Sequence, residues 1–384
     1  DLLDQAQRFE IGDDALAVEI SREHFASQGS QLDLPPTATD AMADRVCVHV
    51  AELISEYTAI LGFVLRSTNV RNAFELHYVM KCLVERVLGQ DTYLLISSEW
   101  DFVPFTYPIG IELLPRAVLL GSPAPESENP LIIPLAGHEI GHSAWRTSNV
   151  EDSLNEAVMS AVDVAIAVQV GTPSTMEEEN DLRAEISVMR DRCAFYALQQ
   201  LEEIYCDLLG LYLFGPSYLY AFDYLLGPGG SDRLLHYPSD AKRMEILAAT
   251  ADQLAIGVDA GLRDRWTKTQ CSKEDETSLA IIDHAVDATV ETLKSNVRTF
   301  VTALGIAPPT DENIVRVQAA FKRGQPYAET ASLGEIISAG WVLLRSNGDL
   351  ANDDDRKSYK VLCDLIWKTI EVTEYLEKGQ APNA

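Results

Sequence analysis

The residues best suited to chemistry stand together in Pro134-Leu-Ala-Gly-His138-Glu139-Ile-Gly-His142-Ser-Ala-Trp145, which contains H-E-x-x-H. On an α-helix, positions i and i+4 lie one turn apart on the same face. His138 and His142 are therefore spaced to aim two imidazoles at one cation. Zinc takes such nitrogens at about 2.0–2.1 Å, and its catalytic sites combine three protein ligands with a water. Glu139 borders that face, where its carboxylate can accept a proton from a water whose pKa the metal brings towards about 7. The chemistry implied is attack of water on a carbonyl carbon.

The ion needs a third ligand. Trp145 stands where the longer pattern H-E-x-x-H-x-x-G-x-x-H requires Gly, and Thr147 and Ser148 supply no third His. A downstream carboxylate must serve, and the best source is Glu202-Glu203-Ile-Tyr-Cys-Asp207-Leu-Leu-Gly210, on a helix expected over about 178–213. Glu203 and Asp207 are again i and i+4. Glu203 is placed to ligate zinc, while Asp207 accepts the other ring N–H of one ligand histidine and so fixes its tautomer. Leu201, Ile204, Tyr205, Leu208, Leu209 and Leu211 surround the two acids, and burying carboxylates without a cation or donor is costly. Glu202 is the alternative ligand.

H-E-x-x-H followed about sixty residues later by E-x-x-x-D resembles the gluzincins, the thermolysin-like clan of zinc metallopeptidases. The matching residues are His138, Glu139, His142, Glu203 and Asp207, and the likeness spans roughly 116–247, about a third of the chain. It implies a zincin-like core, with an active-site helix, a glutamate helix packed across it, and a small sheet whose edge strand holds an extended substrate. Residues 116–121 fall where that edge strand is expected. His236-Tyr237-Pro238…Arg243 is similar to an H-P…R segment of related gluzincins, but Tyr237 precedes the Pro and His236 comes one position early. By that likeness either Tyr237 or His236 donates to a developing oxyanion, a role worth about 3 kcal/mol. Arg243 then braces the site as a partner of Asp207 or Asp240. The glycines of Gly227-Pro-Gly-Gly230 suit a moving loop that brings the donor in. Gly215-Pro-Ser-Tyr218 reads as a structural close to the glutamate helix.

The elements that position these groups are mostly helical. Apolar residues recur at helical spacing over 41–65, 73–88, 278–304, 312–321, 333–345 and 358–376. Short β-rich runs at 92–98 and 116–121 flank a Pro- and aromatic-rich stretch over 100–115. The expected fold is mainly α with a small β-sheet (α+β): helical regions over 1–90 and 251–384 around a core over 91–250, or all of it one compact unit.

Composition narrows the partners. With 47% hydrophobic residues the 384-residue chain has ample core, and its net charge of −29 repels phosphate backbones and anionic lipid. No nucleic acid or membrane partner is expected. The longest apolar tract, 157–170, is broken by Ser160, Asp163 and Gln169. Residues 1–5 lack the basic start and apolar middle of a secretory signal, although no Met opens the chain and a segment upstream is allowed for. Six scattered cysteines without CxxC suggest buried thiols in a reducing, cytoplasmic setting. The function expected is a zinc metallopeptidase acting on a peptide or protein. The alternatives are a metallopeptidase-like regulatory or scaffold protein without proteolytic activity, and a zinc hydrolase of a non-peptide amide.

Overall fold

The computed structural model describes residues 48, 51, 54–55, 58–64, 74–99, 105–106, 117–126, 128–170, 176–227, 234–257, 259–266, 276–346 and 353–380. Much of the helix expected over 41–65, most of the stretch 100–115, and the glycines at 229–230 lie outside the described residues. Two compact units are present, residues 1–85 with 89–127, and residues 86–88 with 128–384. The division falls inside the stretch 91–250 read above as one core.

α1 (Phe74–Leu88), whose residues 86–88 are counted with the second unit, precedes the first unit's sheet of β1 (Tyr93–Glu99), β2 (Phe105–Thr106) and β3 (Ala117–Pro123), ordered β1-β3-β2. β1 and β3 run parallel from Tyr93↔Ala117 to Glu99↔Pro123, and β2 pairs antiparallel with Leu120 and Gly121. Val118, Leu119 and Leu120 are buried in succession, the pattern of a strand covered on both faces. This corrects the expectation of an edge strand at 116–121. β3 is the middle strand, because the two-residue β2 closes its far side.

The second unit is helical. A buried 3₁₀ helix, Pro130–Leu135, is capped by Asn129 Oδ1 accepting from Leu131 N at 3.0 Å. It runs directly into α2 (Ala136–Thr147), followed by α3 (Val150–Val170) and the long α4 (Met176–Phe214). Then come α5 (Pro216–Leu226), α6 (Asp240–Gln253), α7 (Ala260–Trp266), α8 (Glu276–Ala303), α9 (Asp311–Lys322), α10 (Leu333–Ser346) and α11 (Asp353–Gln380). The helices read from apolar spacing at 278–304, 312–321, 333–345 and 358–376 are thus α8 to α11. α2, α3, α6, α8 and α10 all pack on α4. Leu201, Ile204, Tyr205, Leu208, Leu209 and Leu211 are all buried, so this end of α4 forms the core, with Glu203 and Asp207 buried among them.

Gly215 separates α4 from α5 with φ +57°, a left-handed value that favours glycine. Pro216 then opens α5, where its missing N–H costs no hydrogen bond. The chain reverses there and lays α5 back beside α4. At the other end of the sequence, Trp341 Nε1 donates to Leu131 O at 2.9 Å and ties α10 to the 3₁₀ helix that precedes the motif.

Among the described residues no helix is long and apolar enough to cross a membrane. Cys193, Cys206 and Cys363 are buried, but Cys82 is exposed on α1, against the expectation of buried thiols throughout.

Candidate metal centre

The site forms where α2 crosses α4, and glycines allow the crossing to be close. Gly137 and Gly141 share one face of α2, and Cys206 and Gly210 share the facing side of α4. A Cβ on Gly137 would lie 3.1 Å from Gly210 Cα, and one on Gly141 would lie 2.6 Å from Cys206 Cα. Backbone touches backbone at both points. The residues beside these glycines, His138 and His142, consequently reach the acids of α4.

Each imidazole is held at both nitrogens. His138 Nδ1 lies 2.9 Å from Asp207 Oδ1, and His142 Nδ1 lies 2.9 Å from Glu202 Oε1. A carboxylate only accepts, so both Nδ1 atoms carry the proton, and each Nε2 is turned inward. Both Nε2 atoms face one carboxylate: His138 Nε2 is 3.3 Å from Glu203 Oε2, and His142 Nε2 is 3.7 Å from Glu203 Oε1. Glu139 is buried beside them.

Asp207 is the hub behind His138. It accepts from Arg243 Nε at 2.7 Å, from Arg243 Nη2 at 2.8 Å and from Tyr218 Oη at 2.6 Å. Tyr218 and Phe222 are i and i+4 on α5, and the Arg243 guanidinium lies 5.1 Å above the Phe222 ring. Arg243 comes from the first turn of α6, capped by Ser239 Oγ accepting from Lys242 N at 3.2 Å. Of the two carboxylates offered to Arg243, Asp207 holds it closely and Asp240 stands off at 3.9 Å.

Burial opposes charge at each of these groups, and the pairings overcome it. For Asp207, burial favours the neutral acid, yet Arg243 holds its carboxyl well below the usual range. Glu203 is likewise lowered against burial by His138 and Arg243. Burial disfavours the His138 imidazolium, but Asp207 and Glu203 push its pKa up to about 10. At Glu139 burial is the larger effect and raises its pKa, against the nearby charges of His138, His142 and Arg243.

The segment before α6 is tied down by Gln200 Nε2 donating to Leu235 O at 2.8 Å, one turn ahead of Glu203 on α4. His236 and Tyr237 are both exposed, their rings 4.6 Å apart. Burial raises the Tyr237 phenol pKa, as does the charge of Glu203, Glu139 and Glu202. Gly229 and Gly230 of the loop expected to carry Tyr237 lie outside the described residues.

The donor set suits zinc. Among the described residues, four carboxylates (Glu139, Glu202, Glu203 and Asp207) gather around two imidazoles and the Arg243 guanidinium, and even with His138 charged the acids outnumber the cations, so a divalent cation would offset the excess negative charge. Cys206 offers a rival third donor, with its sulfur and one nitrogen of each of His138 and His142 all within 4.8 Å of one another. Glu203 lies 3.3 Å from His138 Nε2 and 3.7 Å from His142 Nε2. The Cys206 thiol is held protonated by burial and by the surrounding acids, and a ligand must shed its proton.

The structure therefore brings His138, Glu139, His142, Glu203, Asp207 and Arg243 together and leaves His236 and Tyr237 at the rim. Two contacts were not read from the sequence: Glu202, named there as the alternative ligand, places Oε1 2.9 Å from His142 Nδ1, and Tyr218, read only as a helix closure, donates to Asp207. The signal for Tyr218 was the Gly215-Pro216 reversal, which returns α5 to the level of Asp207. Compared with family models, curated proteins and solved structures, the chain matches none.

Proposed function

We propose that this chain is a zinc-dependent hydrolase of peptide bonds, with a gluzincin-like arrangement of His138, His142 and Glu203 around the ion. The observation that carries the reading is the convergence of two Nε2 atoms on Glu203 while both Nδ1 atoms are held by carboxylates. Zinc bound there would supply Lewis-acid activation of water near neutral pH. Asp207 and Glu202 keep the rings oriented. Glu139 takes the proton of the attacking water and returns it to the leaving nitrogen, with no acyl-enzyme. Tyr237 donates a hydrogen bond from its phenol to the developing oxyanion, with the tilted His236 ring 4.6 Å away. The net charge of −29 supports a peptide or protein substrate over nucleic acid or an anionic membrane, in a reducing cytoplasmic setting.

The test is Glu139→Gln. The variant should bind one zinc per chain like the wild type and lose cleavage of a broad peptide library. A wild type that takes up no zinc, or a variant that cleaves equally well, would refute the reading. The Cys206 cluster favours a second one, a closed four-donor zinc in a metallopeptidase-like scaffold. In that case the wild type binds zinc tightly and hydrolyses nothing. Cleavage of non-peptide amides in place of peptides would redirect the substrate while keeping the site.

A further inference from the structure

Tyr218 is fully buried, and the mechanism above gives it no task. Its ring fills the space over Gly210, where a Cβ would lie 2.4 Å from Tyr218 Cε2. The glycine therefore accommodates an aromatic ring at this spot, and the ring delivers its hydroxyl to Asp207 Oδ1 at 2.6 Å. That oxygen also meets His138 Nδ1 at 2.9 Å, while Arg243 spans both oxygens. Arg243 grips the carboxylate in its plane at both oxygens, and the Tyr218 hydroxyl adds a donor from a different helix at the same oxygen that meets His138.

We infer that Tyr218 is a positioning residue whose O–H, acting through Asp207, holds the His138 ring in the orientation that binds the metal. The contact pattern stands on geometry alone, while its consequence for zinc rests on the reading above. Removing the hydroxyl leaves Asp207 Oδ1 with one donor fewer in a buried site, and the carboxylate turns towards Arg243. The His138 Nδ1 contact lengthens, and the ring is freed to rotate. Partners behind metal ligands typically govern affinity by about 10- to 100-fold, and Tyr218 acts one bond further out.

Tyr218→Phe keeps the ring and removes only the hydroxyl, so packing over Gly210 is preserved. In the full chain, chelator competition should show zinc bound about tenfold more weakly. kcat should fall while KM holds. In metal-free protein the downfield His138 Nδ1 proton, assigned by its loss in Asp207→Asn, should exchange with solvent faster than in the wild type. Tyr220→Phe, on the same helix but packed on Trp341, should match the wild type throughout. A Tyr218→Phe protein with wild-type zinc affinity and an unchanged Nδ1 proton overturns the inference. If the wild type binds no zinc or cleaves nothing, the hydrolase reading fails while the proton measurement still decides this one. If Tyr218→Phe fails to fold, wild-type spectra decide: zinc must shift the Tyr218 hydroxyl and His138 Nδ1 resonances together, and a hydroxyl unmoved by zinc overturns the role.

Discussion

Gly141 and Cys206 meet backbone to backbone, and a Cβ on the glycine would lie 2.6 Å from the cysteine Cα. The contact sets the separation of α2 and α4, hence the distance from both imidazoles to Glu203. Gly141→Ala should push the helices apart. Overpacking a core costs about 1–3 kcal/mol, and a backbone neighbour that cannot rotate away puts this site at the upper end. Thermal unfolding should report the loss of stability, and zinc titration a matching loss of affinity. An alanine variant with wild-type zinc binding would show that the helix spacing does not govern the site.

Glu203 and Cys206 are distinguished by removal. Glu203→Ala should weaken zinc binding by at least about a hundredfold, since a direct ligand outweighs the partners behind it. Cys206→Ser, nearly isosteric, should leave affinity close to wild type. Chelator competition measures both. The reverse ranking would favour the cysteine set and the closed centre.

The pairing of Glu202 with His142 yields a graded test. Glu202→Ala removes the acceptor on Nδ1 and should weaken zinc by about tenfold. Glu202→Gln retains an accepting oxygen and should fall between the two. If the alanine variant binds zinc as well as wild type, the 2.9 Å contact has no role in orienting His142.

What was legible in the sequence followed from helical geometry within single elements. His138 with His142, and Glu203 with Asp207, are i, i+4 pairs, and any helix presents them together. The helices α8 to α11 were readable for the same reason, because each buries one periodic face. The rest depended on how elements meet. Adjacent residues on a helix diverge by about 100°, so pairing both Glu202 and Glu203 with one histidine requires knowledge of the crossing. Tyr218 required the angle of the Gly215-Pro216 reversal. The middle position of β3 was hidden because its partner β2 has only two residues, too few for an alternating pattern.

Tyr237 and His236 are separated by substitution. Tyr237→Phe should lower kcat by about a hundredfold with KM and zinc content little changed, the mark of a donor used in the transition state. His236→Ala should have a small effect, since the donor role is assigned to the Tyr237 hydroxyl and the His236 ring only lies beside it. Steady-state kinetics on one good peptide substrate separates them. Equal losses in the two variants would mean that neither is the specific donor.

Protons and zinc compete for His138, with a definite sign. In the metal-free fold, burial opposes the imidazolium, but Asp207 and Glu203 raise its pKa from 6.5 to about 10. The unfolded ring titrates at about 6.5, so protonation stabilises the metal-free fold fully below that pH. This contribution is lost as the pH rises through about 10. Asp207 and Glu203 work at the acid end. Burial favours their neutral forms, yet Arg243 at Asp207 and His138 at Glu203 hold both below their ordinary values. Their contribution is present above the ordinary carboxylate range and is lost as pH falls through the depressed values. Zinc must displace the His138 Nε2 proton, so uptake should release about one proton per ion, and Kd should tighten about tenfold per unit between about pH 7 and 9. Calorimetry in buffers of differing ionisation enthalpy counts that proton. A Kd flat over this range would show that His138 is already neutral before zinc arrives, and so that Asp207 and Glu203 do not hold its charge.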